Sequence, residues 1–323
     1  MHRDYVRELG LDKPFSSTSR CHIKDAQRVN ALIAQLVRGG CPRLLVVSDF
    51  DRTITKQHEN GKTHVSSFGI FARCKSLPPT YMDDDRRLTE KYLPIEVNPA
   101  IPFPEKKALM EEWWNLSEKL LVGLSVSDAD LEEVVTEVSM SLRDNAIEMF
   151  QHLQKNDIPL LVFSAGIGDV VVAVLMHFNV LMPNVKVVSN FLKRNDDGKI
   201  EGFNGKMINV FNKNQLALVG TSYYPVIADR TNVIVIGDSI GDAGMAEGLS
   251  NSDAILKIGF LYDHAAANLP AYQEHFDIVL EDDQSMNVLL NILKLIESDQ
   301  PLNTQNNRAS ADQPTDASSV ATK

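Results

Sequence analysis

Three short apolar runs constrain the fold of this chain of 323 residues more than any other feature of its sequence. They lie at residues 44–47, 159–164 and 232–238, and each ends on polar or acidic side chains. Segments of helical spacing separate them, and weaker runs of the same kind follow at 185–189, 254–258 and 277–280. Short continuous runs rich in β-branched residues are typical of parallel strands that are buried on both faces. We therefore predict an α/β fold in which a parallel sheet carries helices on both faces.

A long segment of helical character separates the first two runs. The segment spans roughly residues 63–140, and apolar positions recur at spacings of three and four over 105–121 and over 128–142, the second of which ends two residues beyond it. An ordinary crossover connection would not need so many residues. We predict a helical cap domain that is inserted after the first strand of the core. The predicted division is a core of residues 1–62 and 141–297 and a cap of residues 63–140.

Two further segments have a composition that predicts their structure. Residues 188–202 enclose the sequence Asn-Asp-Asp-Gly at 195–198, which predicts a hairpin. Residues 298–323 consist mainly of polar and small residues with little apolar content, so we predict a disordered tail there.

Charge and cysteine content exclude several classes of partner. The formal net charge of −11 argues against a general nucleic-acid-binding surface, which would have to be basic. The three cysteines form no CxxC pair, which fits a reducing compartment. The charged first five residues do not resemble a signal peptide, and no apolar stretch approaches the roughly 20 residues of a membrane span. We expect a cytoplasmic monomer that binds neither membranes nor nucleic acid polymers.

The sharpest local signal is the sequence Asp49-Phe50-Asp51-Arg52-Thr53, directly after the first predicted strand. A calcium-binding EF-hand loop also begins with D-x-D, but it needs Gly at its sixth position and Glu at its twelfth. Ile54 and Asn60 stand at those places, so an EF-hand is excluded.

Two other polar motifs also follow predicted strands. They are Ser164-Ala165-Gly166 and Gly237-Asp238-Ser239-Ile240-Gly241-Asp242. Because ligands of open α/β sheets bind beyond the carboxyl ends of the strands, we expect all three motifs to meet in one pocket. Clustered carboxylates indicate a hard divalent cation, for which Mg²⁺ is the most plausible candidate.

This combination predicts phosphate chemistry. A cation would offset the repulsion between Asp49 and a phosphate dianion, so that Asp49 can attack phosphorus. Asp51 could protonate the leaving oxygen and later activate water. The Ser164 side chain and the backbone amides of Ala165 and Gly166 could bind phosphate oxygens at a helix N-terminus.

The pattern resembles the haloacid-dehalogenase superfamily of phosphatases, whose motifs are a DxDxT loop, a strand-end Ser or Thr, a Lys and a late GDxxxD. Lys213, in Asn212-Lys213-Asn214, best matches the lysine. Further stretches at 92–96, 112–114, 163–169 and 258–261 make residues 31–296 similar to the cytosolic 5′-nucleotidase III family. The resemblance implies a Rossmann-like core with a helical cap over the active site, and dephosphorylation of nucleoside 5′-monophosphates.

The resemblance also implies roles for individual residues. Asp49 is expected to be the nucleophile and a Mg²⁺ ligand, and Asp51 the acid and base that also gives the metal its backbone carbonyl. Asp238 is expected to be a further metal ligand, with Asp242 supporting the metal site. Phosphate is expected to contact Ser164, Ala165 and Lys213, and the nucleoside to face Glu96 and Ser117 of the cap.

The two tryptophans are adjacent on a predicted helix, so they cannot share one face. We expect Trp113 to pack between cap helices and Trp114 to stack on the base of the substrate.

Three functions remain open at this point. The first is a Mg²⁺-dependent 5′-nucleotidase acting on pyrimidine monophosphates, 7-methylguanosine monophosphate or both, through an aspartyl-phosphate intermediate. The second is another small-molecule phosphatase or a nucleoside phosphotransferase. The third is a catalytically retired binding module.

Overall fold

The computed structural model describes residues 3–96, 98, 100–138, 140–209, 213, 224–247 and 252–299. Residues 300–323, which are nearly all of the predicted tail, lie outside the described residues. Residue 298 belongs to the last helix, so the helical structure reaches the first residue of that predicted segment.

A seven-stranded sheet forms the centre of the molecule, in the order β1-β11-β10-β9-β2-β5-β6. All its neighbouring strands are parallel except β1, which runs antiparallel to β11 at one edge. The strands of the sheet are β1 (Arg20–His22), β2 (Leu44–Ser48), β5 (Leu160–Ile167), β6 (Val185–Asn190), β9 (Asn232–Gly237), β10 (Ala254–Leu261) and β11 (Ile278–Glu281).

Alternate residues of the central strands face two separate hydrophobic clusters. Val46 and Ile234 contribute to the large cluster under helices α2 and α11, whereas Val47 and Val235 pack with Ile227 on the opposite face. Burial on both faces explains the continuous apolar runs, and it confirms the predicted class of fold. The helices outside the predicted cap are α1 (Tyr5–Glu8), α2 (Ala26–Gly39), α7 (Ala146–Lys155), α8 (Gly168–His177), α9 (Tyr224–Ile227), α10 (Ala265–His275) and α11 (Asn287–Ser298).

Four helices of the described chain lie between β2 and α7. They are α3 (Ser67–Phe71), α4 (Pro79–Glu96), α5 (Phe103–Leu121) and α6 (Asp128–Glu137). Helices α4 and α5 pack around their own cluster of Tyr92, Met110 and Trp114. Helices α3 and α6 instead bury side chains in the large cluster of the sheet. The inserted helices are therefore present, while the domain boundaries at 62/63 and 140/141 stay a prediction.

The helix predicted over 128–142 is shorter than expected. It ends at Glu137, and the chain from Ser141 to Arg143 pairs with the segment that leaves the nucleophile motif. Lys56 N donates to Ser141 O at 2.9 Å, and Arg143 N donates to Ile54 O at 2.9 Å. These paired segments, 54–56 and 141–143, form what we call the neck. Pairing in the neck overrides the helical spacing of the sequence.

The predicted hairpin is present, although its first strand begins at residue 192 rather than 188. Strands β7 (Leu192–Arg194) and β8 (Ile200–Phe203) are antiparallel, and Asn195 Oδ1 accepts hydrogen bonds across the turn from the amides of Asp197 and Lys199. Phe203 N donates to Glu118 Oε1 at 3.0 Å, which fastens the hairpin to α5. A second small hairpin consists of β3 (His58–Glu59) and β4 (Lys62–Thr63). In the described part of the chain, no helix has the length and apolar character needed to cross a membrane.

Candidate active site

The DxDxT motif forms a tight loop at the carboxyl end of β2. Asp49 N donates to Ile236 O of β9 at 3.0 Å, so the loop starts in register with the sheet. Phe50 is fully buried, and its carbonyl accepts hydrogen bonds from the amides of Ile54 and Thr55. Arg52 has a φ of 59°, which is uncommon for a residue other than glycine. The backbone therefore turns sharply beside the two aspartates.

The late motif follows β9 and is held by its own side chains. Ser239 and Asp242 form a capping box around the 3-10 helix Ile240–Gly244, and Ser239 N donates to Asp242 Oδ2 at 2.9 Å. Gly237 leaves room for this turn, because a Cβ at that position would lie 2.2 Å from Asp242 Cβ. The glycine thus allows Asp242 to approach the end of the strand.

Three carboxylates from these two motifs lie together. Each of Asp49, Asp238 and Asp242 offers an oxygen within 4.8 Å of the others. Lys213 is buried against this cluster, and its Nζ donates to Asp49 Oδ1 and, at 3.0 Å, to Asp242 Oδ1. The predicted lysine therefore lies at the carboxylates, and both oxygens of Asp242 already accept hydrogen bonds.

Burial disturbs the titration of these groups. It raises the pKa of Asp49 well above the ordinary value; the Lys213 ammonium opposes this shift, and the charges of Asp242 and Asp238 add to it. Burial and the Asp242 charge also raise the pKa of Asp238 to about 7. Two buried carboxylates and a half-buried one, with one ammonium, carry excess negative charge, and their oxygen donors fit a hard divalent cation.

Asp51 lies beside this cluster but has a different partner. Ser67 N donates to Asp51 Oδ1 at 2.7 Å, and Ser67 Oγ donates to Asp51 Oδ2 at 2.6 Å. Burial raises the pKa of Asp51, whereas the hydrogen bonds from Ser67 oppose the shift. A half-buried carboxyl group with a raised pKa that borders a cavity suits the role of a general acid.

Ser164 lies within β5 rather than at a helix N-terminus. The strand continues to Ile167, and α8 begins at Gly168. Gly166 N donates to Ser164 Oγ at 3.0 Å, so one of the two amides that were predicted to bind phosphate is engaged inside the strand. Ser164, Ala165 and Gly166, which were predicted to bind phosphate at a helix N-terminus, therefore lie near the end of a strand.

One cavity of about 1190 Å³ connects these groups to the inserted helices. Glu96 lies at the end of α4, and Trp114 and Ser117 lie one helical turn apart on α5. Burial raises the pKa of Glu96, while Arg52 opposes the shift. All ten predicted site residues line this cavity: Asp49, Asp51, Glu96, Trp114, Ser117, Ser164, Ala165, Lys213, Asp238 and Asp242.

The sequence matches a known family over most of its length. The family model described as pyrimidine 5′-nucleotidase (UMPH-1) covers residues 52–297. The chain belongs to this family. The match confirms the prediction of a 5′-nucleotidase, and the solved structure of a cytosolic 5′-nucleotidase IIIB described next confirms the resemblance to the cytosolic 5′-nucleotidase III family.

Individual relatives agree with this assignment. The nucleotidase is 47% identical over 296 residues to a 7-methylguanosine phosphate-specific 5′-nucleotidase of Drosophila melanogaster, which covers 91% of this chain and 92% of the relative. The relative of that name from Homo sapiens is 38% identical over 269 residues, or 83% of this chain and 90% of the relative. The crystal structure of cytosolic 5′-nucleotidase IIIB bound to cytidine has a TM-score of 0.80 and 47% identity, and the match covers 86% of this chain and 93% of that one.

The two tryptophans of the nucleotidase have different surroundings. The Trp113 ring stacks on Tyr92, with centroids 5.7 Å apart and an interplanar angle of 12°, so it packs between α4 and α5 as expected. Trp114 is 9% exposed; it packs with Tyr92 and Met110 and also borders the cavity. The stacking role predicted for Trp114 stays a prediction.

Three residues that the sequence did not reveal support the site. Ser67 binds Asp51, and Tyr272 donates its hydroxyl proton to the backbone carbonyl of Asp238. The guanidinium of Arg143 donates to the carbonyls of Arg52, Thr53 and Asp283. None of the three belongs to one of the predicted motifs. Each reaches the site from a distant part of the sequence, and Tyr272 and Arg143 bind only backbone carbonyls there.

Proposed function

We propose that this nucleotidase hydrolyses pyrimidine nucleoside 5′-monophosphates and 7-methylguanosine monophosphate to nucleoside and phosphate. The observation that carries the proposal is the single cavity that joins the three carboxylates to Glu96 and Trp114. One end of such a cavity suits a phosphate with a cation, and the other end suits a flat base. The names of the similar proteins support the same two classes of base.

Glu96 is the group that would select the base. A carboxylate accepts hydrogen bonds and attracts positive charge, so it suits the exocyclic amine of cytosine and the cationic ring of 7-methylguanine. Trp114 would add an aromatic face for the ring, and aromatic faces bind cationic rings well. Ser117, one turn further along α5, would lie beside the nucleoside.

The cation we propose is Mg²⁺, held by the carboxylates of Asp49 and Asp238 and by the backbone carbonyl of Asp51. When bound, it would neutralise the repulsion between these carboxylates and the phosphate. Asp242 would act on the site through its hydrogen bond to Lys213. Lys213, Ser164 and Ala165 would hold the phosphate oxygens.

The reaction would proceed in two displacements. Asp49 attacks phosphorus, the Asp49–O–P bond forms, and the P–O5′ bond breaks with its electron pair passing to O5′. Asp51 gives O5′ a proton, so the nucleoside leaves as a neutral alcohol. Water then attacks phosphorus and passes its proton to Asp51, and the bond between Asp49 and phosphorus breaks to release phosphate.

The proposal extends to the setting of the enzyme. We propose a cytosolic monomer that acts on free nucleotides rather than on nucleic acid polymers. The net charge of −11 supports the exclusion of nucleic acid polymers, and the name of the similar solved structure supports the cytosolic location.

The test is phosphate release from CMP, UMP, GMP, AMP and 7-methyl-GMP, each with Mg²⁺ and with EDTA. We expect metal-dependent release from CMP and 7-methyl-GMP, less from UMP because uracil offers Glu96 no amine, and least from AMP and GMP, whose purine rings are larger than a pyrimidine and carry no positive charge. Asp49→Asn is the control for contaminating phosphatases, and it should release nothing. Release that is equal for all five nucleotides would refute the base selection, and silence with all five would point to another phosphoester or to a binding role.

A further inference from the structure

We propose that Ser67 is a positioning residue that holds the carboxyl group of Asp51 in the orientation needed to protonate the leaving oxygen. The inference rests on the acid role of Asp51 proposed above. It goes further because it assigns the control of that acid to a residue on α3, outside every motif of the sequence.

The geometry shows a two-point contact. The Ser67 amide donates to one oxygen of Asp51 at 2.7 Å, and the Ser67 hydroxyl donates to the other at 2.6 Å. Two bonds from one residue to both oxygens fix the plane of the carboxyl group, which a single bond would leave free to rotate. Ser67 is itself fully buried, while Asp51 is half-buried and lines the cavity, so the donor side of both bonds is shielded from water.

Ser67 is held in turn by its surroundings. Ile167 N of β5 donates to Ser67 Oγ at 3.3 Å, which sets the direction of the hydroxyl. The next turn of α3 buries Ile70 and Phe71 in the large hydrophobic cluster, and this packing anchors the helix. The position of Asp51 is therefore fixed through Ser67 to the sheet and to α3.

The strand beside this pair leaves no spare room. A Cβ added at Gly166 would lie 2.0 Å from Ser67 Oγ and 2.9 Å from Asp51 Oδ2. Glycine at 166 lets the backbone of β5 approach both side chains. The Asp51–Ser67 pair is thus enclosed on the side of β5, as expected for a carboxyl group whose direction matters.

The chemistry predicts when this orientation counts. A nucleoside alkoxide is a poor leaving group, so the P–O5′ bond breaks easily only if O5′ receives a proton from Asp51. The p-nitrophenolate ion is stable without a proton, so its departure does not need the acid. As Asp51 loses its proton, negative charge grows on the two oxygens that Ser67 contacts, and hydrogen bonds to a charged acceptor are stronger.

The experiment compares CMP with p-nitrophenyl phosphate in Ser67→Ala. The readout is kcat/KM, which covers binding and the first displacement and leaves out the later attack of water. Loss of a positioned general acid costs roughly 10²–10⁴-fold, and the amide of residue 67 keeps one of the two bonds, so we expect a loss of about 30-fold for CMP. For p-nitrophenyl phosphate we expect a loss below about threefold.

Two further variants separate positioning from packing. Ser66→Ala removes the N-cap of the same helix, where Ser66 Oγ accepts a hydrogen bond from Gly69 N at 3.4 Å. This variant should lower kcat/KM for both substrates by the same small factor. Ser67→Cys keeps the buried shape and offers only a weak donor, so it should behave like Ser67→Ala. Recovery of CMP turnover in Ser67→Cys would show that shape alone matters and would overturn the proposal.

The remaining outcomes distinguish the inference from its premise. Suppose that Ser67→Ala lowers kcat/KM equally for the two substrates, while Asp51→Asn lowers it mainly for CMP. That result would overturn the role of Ser67 and leave the acid role of Asp51 intact. Equal losses in Asp51→Asn would overturn that acid role, and the inference about Ser67 with it. Circular dichroism of each variant shows whether the fold is preserved.

Discussion

Replacing Arg143 with Met should weaken the fold and slow the reaction together. The side chain is 2% exposed, and its guanidinium lies 3.7 Å from the centre of the Phe260 ring. It donates to the carbonyls of Arg52 and Thr53 in the nucleophile loop and to that of Asp283 after β11. Burial lowers the pKa of Arg143 to about 10, so the group remains charged at neutral pH.

The structure gives the magnitude of this loss. Two buried carbonyls and the partly buried one of Arg52 lose their donor, at about 1–3 kcal/mol each, while removal of a buried charge offsets part of the loss. We expect a net destabilisation of about 3–5 kcal/mol, which a domain of ordinary stability survives. The carbonyl of Arg52 also follows a left-handed φ of 59°, so its release lets the loop relax. Displacement of the neighbouring aspartates should lower kcat by at least about tenfold.

The assay pairs urea unfolding with kcat measured at a temperature where the variant is fully folded. The matched control is Arg230→Met, because Arg230 also donates to three carbonyls, those of Cys41, Leu44 and Asp157, at the opposite end of the sheet. We expect the control to lose stability while its kcat stays within about twofold of the unchanged enzyme. If folded Arg143→Met keeps as much kcat as the control, Arg143 is a structural residue only.

Three further changes have defined outcomes. Asp238→Asn should raise the Mg²⁺ concentration that gives half-maximal activity by at least about tenfold, and an unchanged Mg²⁺ titration would remove Asp238 from the metal site. Trp114→Ala should raise KM for nucleotides far more than KM for p-nitrophenyl phosphate, and equal rises would make Trp114 a packing residue. Asp85→Asn should stabilise the protein at pH 7.5 by about 1 kcal/mol, because burial raises the pKa of Asp85 to about 6 despite the opposing charge of Arg73. The folded state binds the proton of Asp85 more tightly than the unfolded state does, so the free-energy cost of ionised Asp85 grows as pH rises from about 4 to above 6. The gain in melting temperature from Asp85→Asn should therefore vanish near pH 4.

The strands that the sequence predicted best are those buried on both faces. The runs at 44–47, 159–164 and 232–238 correspond to β2, β5 and β9 at the centre of the sheet. Two-sided burial requires apolar residues at every position, and this leaves a clear pattern in the sequence. Strand β1 has three residues at an edge, none of them fully buried, so no comparable pattern marks it.

Helix α4 shows why the inserted segment was harder to predict. It contains Pro94 in its interior, and only Tyr81 and Tyr92 of its side chains are buried. With so few buried positions, the helical period is hard to recognise in the sequence. The predicted end of α6 was wrong for the opposite reason. The apolar spacing continues to residue 142, but the chain there pairs with residues 54–56 of the neck instead of remaining helical.

The carboxylates of the site could be predicted because their chemistry requires particular side chains at particular strand ends. Ser67 and Arg143 could not, because serine and arginine are common and only the folded chain brings them to the loop. Ser67 lies 16 positions from Asp51, and Arg143 lies 90 positions from Thr53. The signal for such residues is their burial with a polar group, which is a property of the structure.

The nucleophile loop is held from three directions, and this connects the inserted helices to the chemistry. Strand β9 holds its start through the amide of Asp49, the neck holds its carbonyls through Arg143, and α3 holds its acid through Ser67. Of these, only the contact with β9 belongs wholly to the sheet. The neck and α3 are the segments through which the chain enters and leaves the inserted helices. The side chain of Asp51 therefore depends directly on a contact with an inserted helix, whereas the amide of Asp49 is held by the sheet alone, so a change in the packing of α3 should affect the acid step more than the attack on phosphorus.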